Sequence, residues 1–135
     1  MYLKMLNEEQ KELFLNFAYK LAMADWNYDE KEQILMKSYC DEMKIKLECI
    51  NSTISIEEIV EKAVIKFGEM EKKIFIFESI VLAMTDNFYH EKEKNMILFA
   101  MKKMEIPEAF HNACEELIST YMELQNKMNQ VIFGE

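Results

Sequence analysis

Glycine and proline are almost missing from this sequence. Among its 135 residues there are only two glycines, Gly68 and Gly134, and one proline, Pro107. Tight hairpins and phosphate-binding loops depend on glycine, so the shortage argues against β-sheet folds and nucleotide-binding loops. The abundant residues are Glu, Lys, Leu, Ile and Met, which favour helices. The composition therefore predicts an all-α protein, and the length fits a single domain over residues 1–135.

Arginine is absent altogether. The 16 basic residues are all lysine, and the net charge is −9. Arginine is the usual bidentate ligand of phosphate and guanine, so nucleic acid is a poor target for this chain. The negative charge should also repel anionic lipid surfaces. A protein partner with a basic surface, or a cation, suits this charge best.

Long hydrophobic runs are absent as well. The most apolar stretch, residues 74–84, is too short to cross a bilayer and is interrupted by Glu78. The N-terminal residues lack the apolar core of a signal peptide. Three cysteines, Cys40, Cys49 and Cys114, form an odd set without pairing spacing, which indicates reduced thiols. We therefore expect a cytoplasmic protein without membrane insertion.

Six helices are predicted from apolar periodicity and capping signals. Asn7 and Gln10 form a capping-box pattern before the first helix, and Gly68 stands where a glycine would end the third. The fourth helix is apolar on nearly all sides, which predicts that it is the buried centre of the fold. The last helix follows Pro107, and its apolar stripe continues towards Val131. The predicted helices cover about residues 8–24, 30–44, 55–67, 70–85, 91–104 and 107–132.

The chain contains an internal repeat. The segment LAMADWNYDEKE begins at Leu21, and LAMTDNFYHEKE begins at Leu82, 61 residues later. Without gaps, ten of the 25 residues in 21–45 are identical to their counterparts, whereas unrelated helices would share about two or three. Duplication predicts two helix–loop–helix units, at about residues 8–45 and 70–106, packed with approximate two-fold symmetry.

The repeated loops are acidic, and two interpretations of them are open. In the first, their carboxylates cap helices: Asp29 begins a helix, and Glu32 follows three positions later. In the second loop His90 replaces the aspartate as a weaker cap, and Glu93 is kept. Tyr89 of this loop is predicted to turn inward at the corner, as is Tyr28 in the first. In the second interpretation, the same carboxylates hold a divalent cation.

A calcium site of the EF-hand type is excluded. Asp25, Asn27 and Asp29 alternate like the first ligands of such a loop, but Glu30 stands at the glycine position and Met36 at the bidentate glutamate position. A looser oxygen site stays open, although capping explains the pattern without a missing ligand and is favoured. The candidate metal ligands are Asp25, Asp29, Glu32, Asp86 and Glu93.

The two loops resemble the TerB-like family, which is named for tellurite-resistance proteins. The resemblance lies in Ala-Asp, an apolar or aromatic residue, and Asp/His-x-x-Glu between two helices, here residues 24–32, with a second copy at 85–93. The resemblance implies an all-helical domain with the motif in both halves, a bacterial stress or chemical-defence context, and metal binding by the acidic loops. It implies no known reaction. The family usually has glycine directly after the aspartate, where this chain has Trp26 and Asn87.

The sequence contains no catalytic motif that we recognise. No nucleophile elbow, Walker loop or HExxH pattern is present. His90 is predicted to be a helix cap and His111 an ordinary residue of the last helix, so neither indicates a zinc site. Trp26 is a candidate partner contact, because a large aromatic side chain stands where the family has its smallest residue. Burial against its own neighbours is the other interpretation.

The expected function is therefore non-enzymatic. We expect a TerB-like protein-interaction module, with no cofactor other than a divalent cation bound weakly by the acidic loops. An acidic helical adaptor from a phage or defence system, without any metal site, is the alternative. A cation titration separates the two hypotheses.

Overall fold

The computed structural model describes residues 1–24, 30–51, 53–85 and 89–134, apart from the side chains of residues 31 and 32. The all-α prediction is confirmed, since this part of the chain forms a compact bundle of six α-helices and contains no strand. Two short 3₁₀ helices, Leu3–Met5 and Leu47–Cys49, complete the bundle. The helices are α1 (Glu8–Ala22), α2 (Glu30–Met43), α3 (Ile56–Lys66), α4 (Glu69–Ala83), α5 (Glu91–Lys103) and α6 (Glu108–Phe133).

Helix α4 is buried, as its sequence predicts, and α1 shares the centre with it. Phe75 and Leu82 of α4 are almost fully buried, and so are Phe14 and Phe17 of α1. The rings of Phe14 and Phe75 meet edge to face, with centroids 5.7 Å apart. Around this pair, α1 packs against α2 and α3, while α4 packs against α5 and α6. An apolar stripe on each of the surrounding helices thus faces one common core.

Local capping explains where two of these helices begin. At α1, the Asn7 side chain accepts from the Gln10 N–H, and the Gln10 side chain accepts from the Asn7 N–H, each at 2.9 Å. This confirms the predicted capping box. Gly68 does not end α3 as predicted. It has a φ of −79°, lies directly before α4, and donates its N–H to the Glu71 carboxylate at 3.1 Å.

The helix boundaries repeat along the chain with the spacing of the sequence repeat. Helices α1 and α4 begin at Glu8 and Glu69, which are 61 residues apart, and α2 and α5 begin at Glu30 and Glu91, with the same separation. These helix starts agree with the 61-residue offset of the sequence, while the division into two repeated units stays a prediction. Two-fold packing of the two units stays a prediction.

Helix α6 is covered along only part of its length. His111, Cys114 and Ile118 are buried, whereas Leu117 and every large apolar residue from Leu124 onwards are half exposed or more. The apolar stripe that the sequence predicts is thus continuous, but its second half has no neighbour among the described residues. None of the helices in this part of the chain is long and apolar enough to span a membrane.

Candidate functional site

Most of the predicted acidic-loop ligands lie outside the described residues. This applies to Asp25, Asp29 and Asp86, to the partner-contact candidate Trp26, and to the side chain of Glu32. Glu93 is described, and it is buried at the start of α5. Within the described ranges, no three His, Cys, Asp or Glu side chains group closely enough to hold a metal ion. The cation hypothesis is therefore still a prediction about the two loops.

The corner before α5 is held to α6 by a tyrosine–histidine contact. Tyr89 turns inward, as predicted, and its hydroxyl lies 2.9 Å from Nε2 of His111. The two rings are stacked, with centroids 5.6 Å apart and planes inclined by 26°. His111 lies in the first turn of α6, where it was predicted, and is only 1% exposed. His90 is the N-cap residue of α5, but its side chain makes no capping hydrogen bond.

Burial and nearby negative charge keep the proton on the Tyr89 hydroxyl. Burial raises the pKa of Tyr89 well above its ordinary value, and the nearby carboxylates of Glu115 and Glu93 raise it further. The neutral phenol and Nε2 of His111 share one hydrogen bond, whose direction depends on the tautomer of the imidazole. The other ring nitrogen, Nδ1, is 3.7 Å from the Glu115 carboxylate and 3.5 Å from Oδ1 of Asn112.

This arrangement superficially resembles a nucleophile–base–carboxylate triad, but its electrostatics favour a structural contact. A nucleophilic hydroxyl needs an environment that lowers its pKa or a base that removes its proton. Here two carboxylates oppose ionisation of Tyr89. The Tyr89–His111 contact is best understood as a hydrogen bond that fixes the loop before α5 on α6. A polar pocket of about 340 Å³ beside it is lined by Glu115, Ser119 and Glu123, among others.

A large concave surface of the described residues is apolar. It is a groove of about 620 Å³ between α2, α4 and α6, with the N-terminal residues at one side. Five of its large apolar side chains are about half exposed or more, namely Met1, Tyr2, Ile34, Leu117 and Tyr121. We call this surface the α2–α4–α6 groove. Its lining comprises Met1, Tyr2, Ile34, Leu35, Ser38, Phe77, Val81, Thr85, Leu117, Ile118, Tyr121, Met122 and Gln125.

No protein-family model matches this chain, and neither characterised proteins nor solved structures show significant similarity to it. The surfaces of the molecule are therefore the guide to its function.

Sequence reasoning missed the groove, although two signals for it are present. Ile34 lies on the outer face of α2, between the charged residues that begin the helix and the buried Met36. The stripe on α6 runs for more turns than a bundle of this size can cover. Both features place large apolar side chains outside the core, which indicates an apolar surface.

Proposed function

We propose that this chain is a non-enzymatic, TerB-like protein-interaction module, and that the α2–α4–α6 groove is its binding surface. One observation carries the proposal: the groove exposes large apolar side chains on a protein with a net charge of −9. Contiguous apolar surface on a soluble protein usually marks a site of interaction. Ile34, 63% exposed, and Leu117, 65% exposed, form its most accessible points.

The shape of the groove suits an amphipathic helix. Its walls are helices, and its lining is dominated by aliphatic, aromatic and methionine side chains. A helix that binds in this way places residues at spacings of three and four in the groove and keeps its polar face in water. The methionines Met1 and Met122 can adapt to partners of different shape.

The TerB-like part of the proposal rests on the two acidic loops. It includes a role in stress or chemical resistance of the tellurite type and weak binding of a divalent cation at residues 24–32 and 85–93. Calcium, magnesium and zinc titrations, followed by thermal unfolding with and without a chelator, test the cation directly. An ion that binds only the folded chain raises the melting temperature, and the rise grows with the ratio of free ion to its dissociation constant. A melting temperature that none of the three ions changes would contradict the cation site.

The interaction itself can be tested by site-specific crosslinking in the native cytosol. A photo-crosslinking amino acid is placed at Ile34, in the groove, and in a matched variant at Ile65, which is 79% exposed on α3 but does not line the groove. We expect position 34 to capture a discrete protein that position 65 does not. Equal capture at both positions, or none at position 34, would overturn the assignment of the groove.

A further inference from the structure

The exposed half of α6 carries a regular apolar stripe. Leu117, Tyr121, Leu124, Met128 and Val131 follow one another at alternating spacings of four and three residues, which is the pattern of a coiled-coil seam. Each of these side chains is between 49% and 82% exposed. The first two line the α2–α4–α6 groove, and the others extend the same face beyond it.

Negative charge is kept away from this seam. The carboxylates of α6 belong to Glu108, Glu115, Glu116 and Glu123, and helical geometry places all four off the seam and off the positions that flank it. The flanking positions that follow Leu117 are instead held by Ile118, Thr120, Gln125, Lys127 and Ile132. In a chain with 25 acidic residues, this face carries none.

We propose that the groove binds a second copy of this chain, whose α6 lies antiparallel to the first. The inference rests on the proposed function and names the partner. The seam is self-complementary in this orientation: Leu117 lies opposite Met128 of the second copy, Tyr121 lies opposite Leu124, and both pairs recur with the copies exchanged. No carboxylate of one seam meets a carboxylate of the other.

The available area matches what a stable dimer needs. Covering the exposed apolar side chains on this side of α6 removes on the order of 700 Å² of surface from each copy, which lies within the range of standard protein interfaces. The arrangement is also closed, because each copy offers one groove and one seam to the other and leaves neither free for a third. The side chains concerned are Leu117, Tyr121, Leu124, Met128, Val131 and Ile132.

Sedimentation equilibrium of the purified full chain tests the dimer. We expect a concentration-dependent dimer, and Leu124→Lys should raise its dissociation constant by on the order of tenfold or more, since it places a charge at the centre of the seam. Asn126→Lys is the matched control, because it adds the same charge on the opposite face of α6 and should leave the constant unchanged. Circular dichroism checks that both variants keep their helices. A wild-type chain that stays monomeric overturns the proposal, as do equal effects of the two variants.

Disulfide crosslinking tests the orientation. Leu117→Cys and Met128→Cys variants should crosslink when mixed but not separately, because in the antiparallel dimer residue 117 of one copy lies roughly 16 Å from residue 117 of the other. The native chain, with Cys40 and Cys114 buried and Cys49 half buried, gives the baseline. Crosslinking of each variant with itself and not in the mixture would indicate a parallel pair and overturn the register.

Two measurements distinguish this inference from the proposed function: the salt dependence of the dimer and the identity of the protein crosslinked at position 34. Added salt should tighten the dimer, because it screens the repulsion between two chains of net charge −9. It should weaken the binding of a basic protein. If the chain is monomeric but position 34 captures a different protein, the second copy is wrong and the interaction module stands. If neither dimer nor captured protein is found, both proposals fail.

Discussion

Phe17 and Glu78 lie 61 residues apart, at matching positions of α1 and α4, and both side chains are buried. Phe17 packs against Phe75, with ring centroids 4.8 Å apart. Glu78 instead has its carboxylate 3.2 Å from the amino group of Met1. Burial raises the pKa of Glu78, although the ammonium group opposes that shift. The same position thus holds an aromatic ring in α1 and, in α4, a carboxylate whose charge is balanced by an ammonium group. The two helices nevertheless begin at matching residues.

Helices α2 and α5 are each followed by a residue in the left-handed conformation, and in neither case is that residue glycine. Lys44 and Glu105, again 61 residues apart, have φ values of 57° and 58° in the left-handed region. The next residue in each case donates its N–H to the carbonyl five residues back along the chain: Ile45 to Cys40 at 3.0 Å, and Ile106 to Met101 at 2.9 Å. This is the Schellman arrangement, with an apolar residue after the left-handed position. The two units therefore agree in their backbone signals and differ in what they bury.

The largest effect is expected at the centre that both units share. Phe14→Ala and Phe75→Ala should each lower the free energy of unfolding by about 3–5 kcal/mol, because each leaves a cavity in the core. The loss should be larger at Phe75, whose ring also contacts Phe17 and Phe67. Urea unfolding measures both, and the double variant should be less than additive because the rings touch. A larger loss at Phe14 would mean that the first unit, and not the second, provides the centre.

The next effect concerns the corner of the second unit. Tyr89→Phe should lower the free energy of unfolding by about 1–3 kcal/mol, because it leaves Nε2 of the buried His111 without its hydrogen-bond partner. Tyr121→Phe is the matched control, since that ring is 49% exposed and should tolerate the loss of its hydroxyl. Equal stability of the two variants would show that the Tyr89 hydroxyl does not fix the corner.

The contrast between Phe17 and Glu78 can be sharpened by pH. A carboxyl whose pKa is raised in the folded chain binds its proton more tightly there than in the unfolded chain. Its contribution to stability therefore grows as the pH falls through the raised pKa and is complete below the ordinary one. Relative to Glu78→Gln, the wild-type chain should gain stability on moving from neutral to mildly acidic pH. Parallel stability curves for the two proteins would contradict the raised pKa.

The smallest effect tests the likeness of the helix ends. Lys44→Gly and Glu105→Gly should each stabilise the protein by roughly 0.5–1 kcal/mol, because glycine removes the strain of the left-handed conformation. Thermal unfolding measures these changes. The matched controls, Asp41→Gly and Lys102→Gly, lie inside the last helical turns and should lower the stability instead. If the two substitutions stabilised the protein by clearly different amounts, the two helix ends would not be equivalent.

Local signals explain what the sequence predicts well. The Asn7 box and the repeated spacing predict where α1, α2 and α5 begin, because caps act within a few residues. Gly68 misleads, since a glycine between two helices suits the end of one as well as the start of the next. Periodicity also shows that a face of α6 is apolar, but it does not tell which turns a neighbour covers. The His111 contact depends on Tyr89, 22 residues away, which no local pattern indicates.

The uncovered half of α6 has a consequence for motion. Its backbone hydrogen bonds lie next to water, and a helical segment of about 15 residues is only marginally stable without tertiary support. Its amides should therefore exchange with solvent through frequent local opening, while those around His111 and Ile118 exchange only in larger openings. Any molecule that covers the seam must slow that exchange. Hydrogen–deuterium exchange of the turns from Tyr121 to Val131 is thus a direct report of whether α6 is bound, whatever binds it.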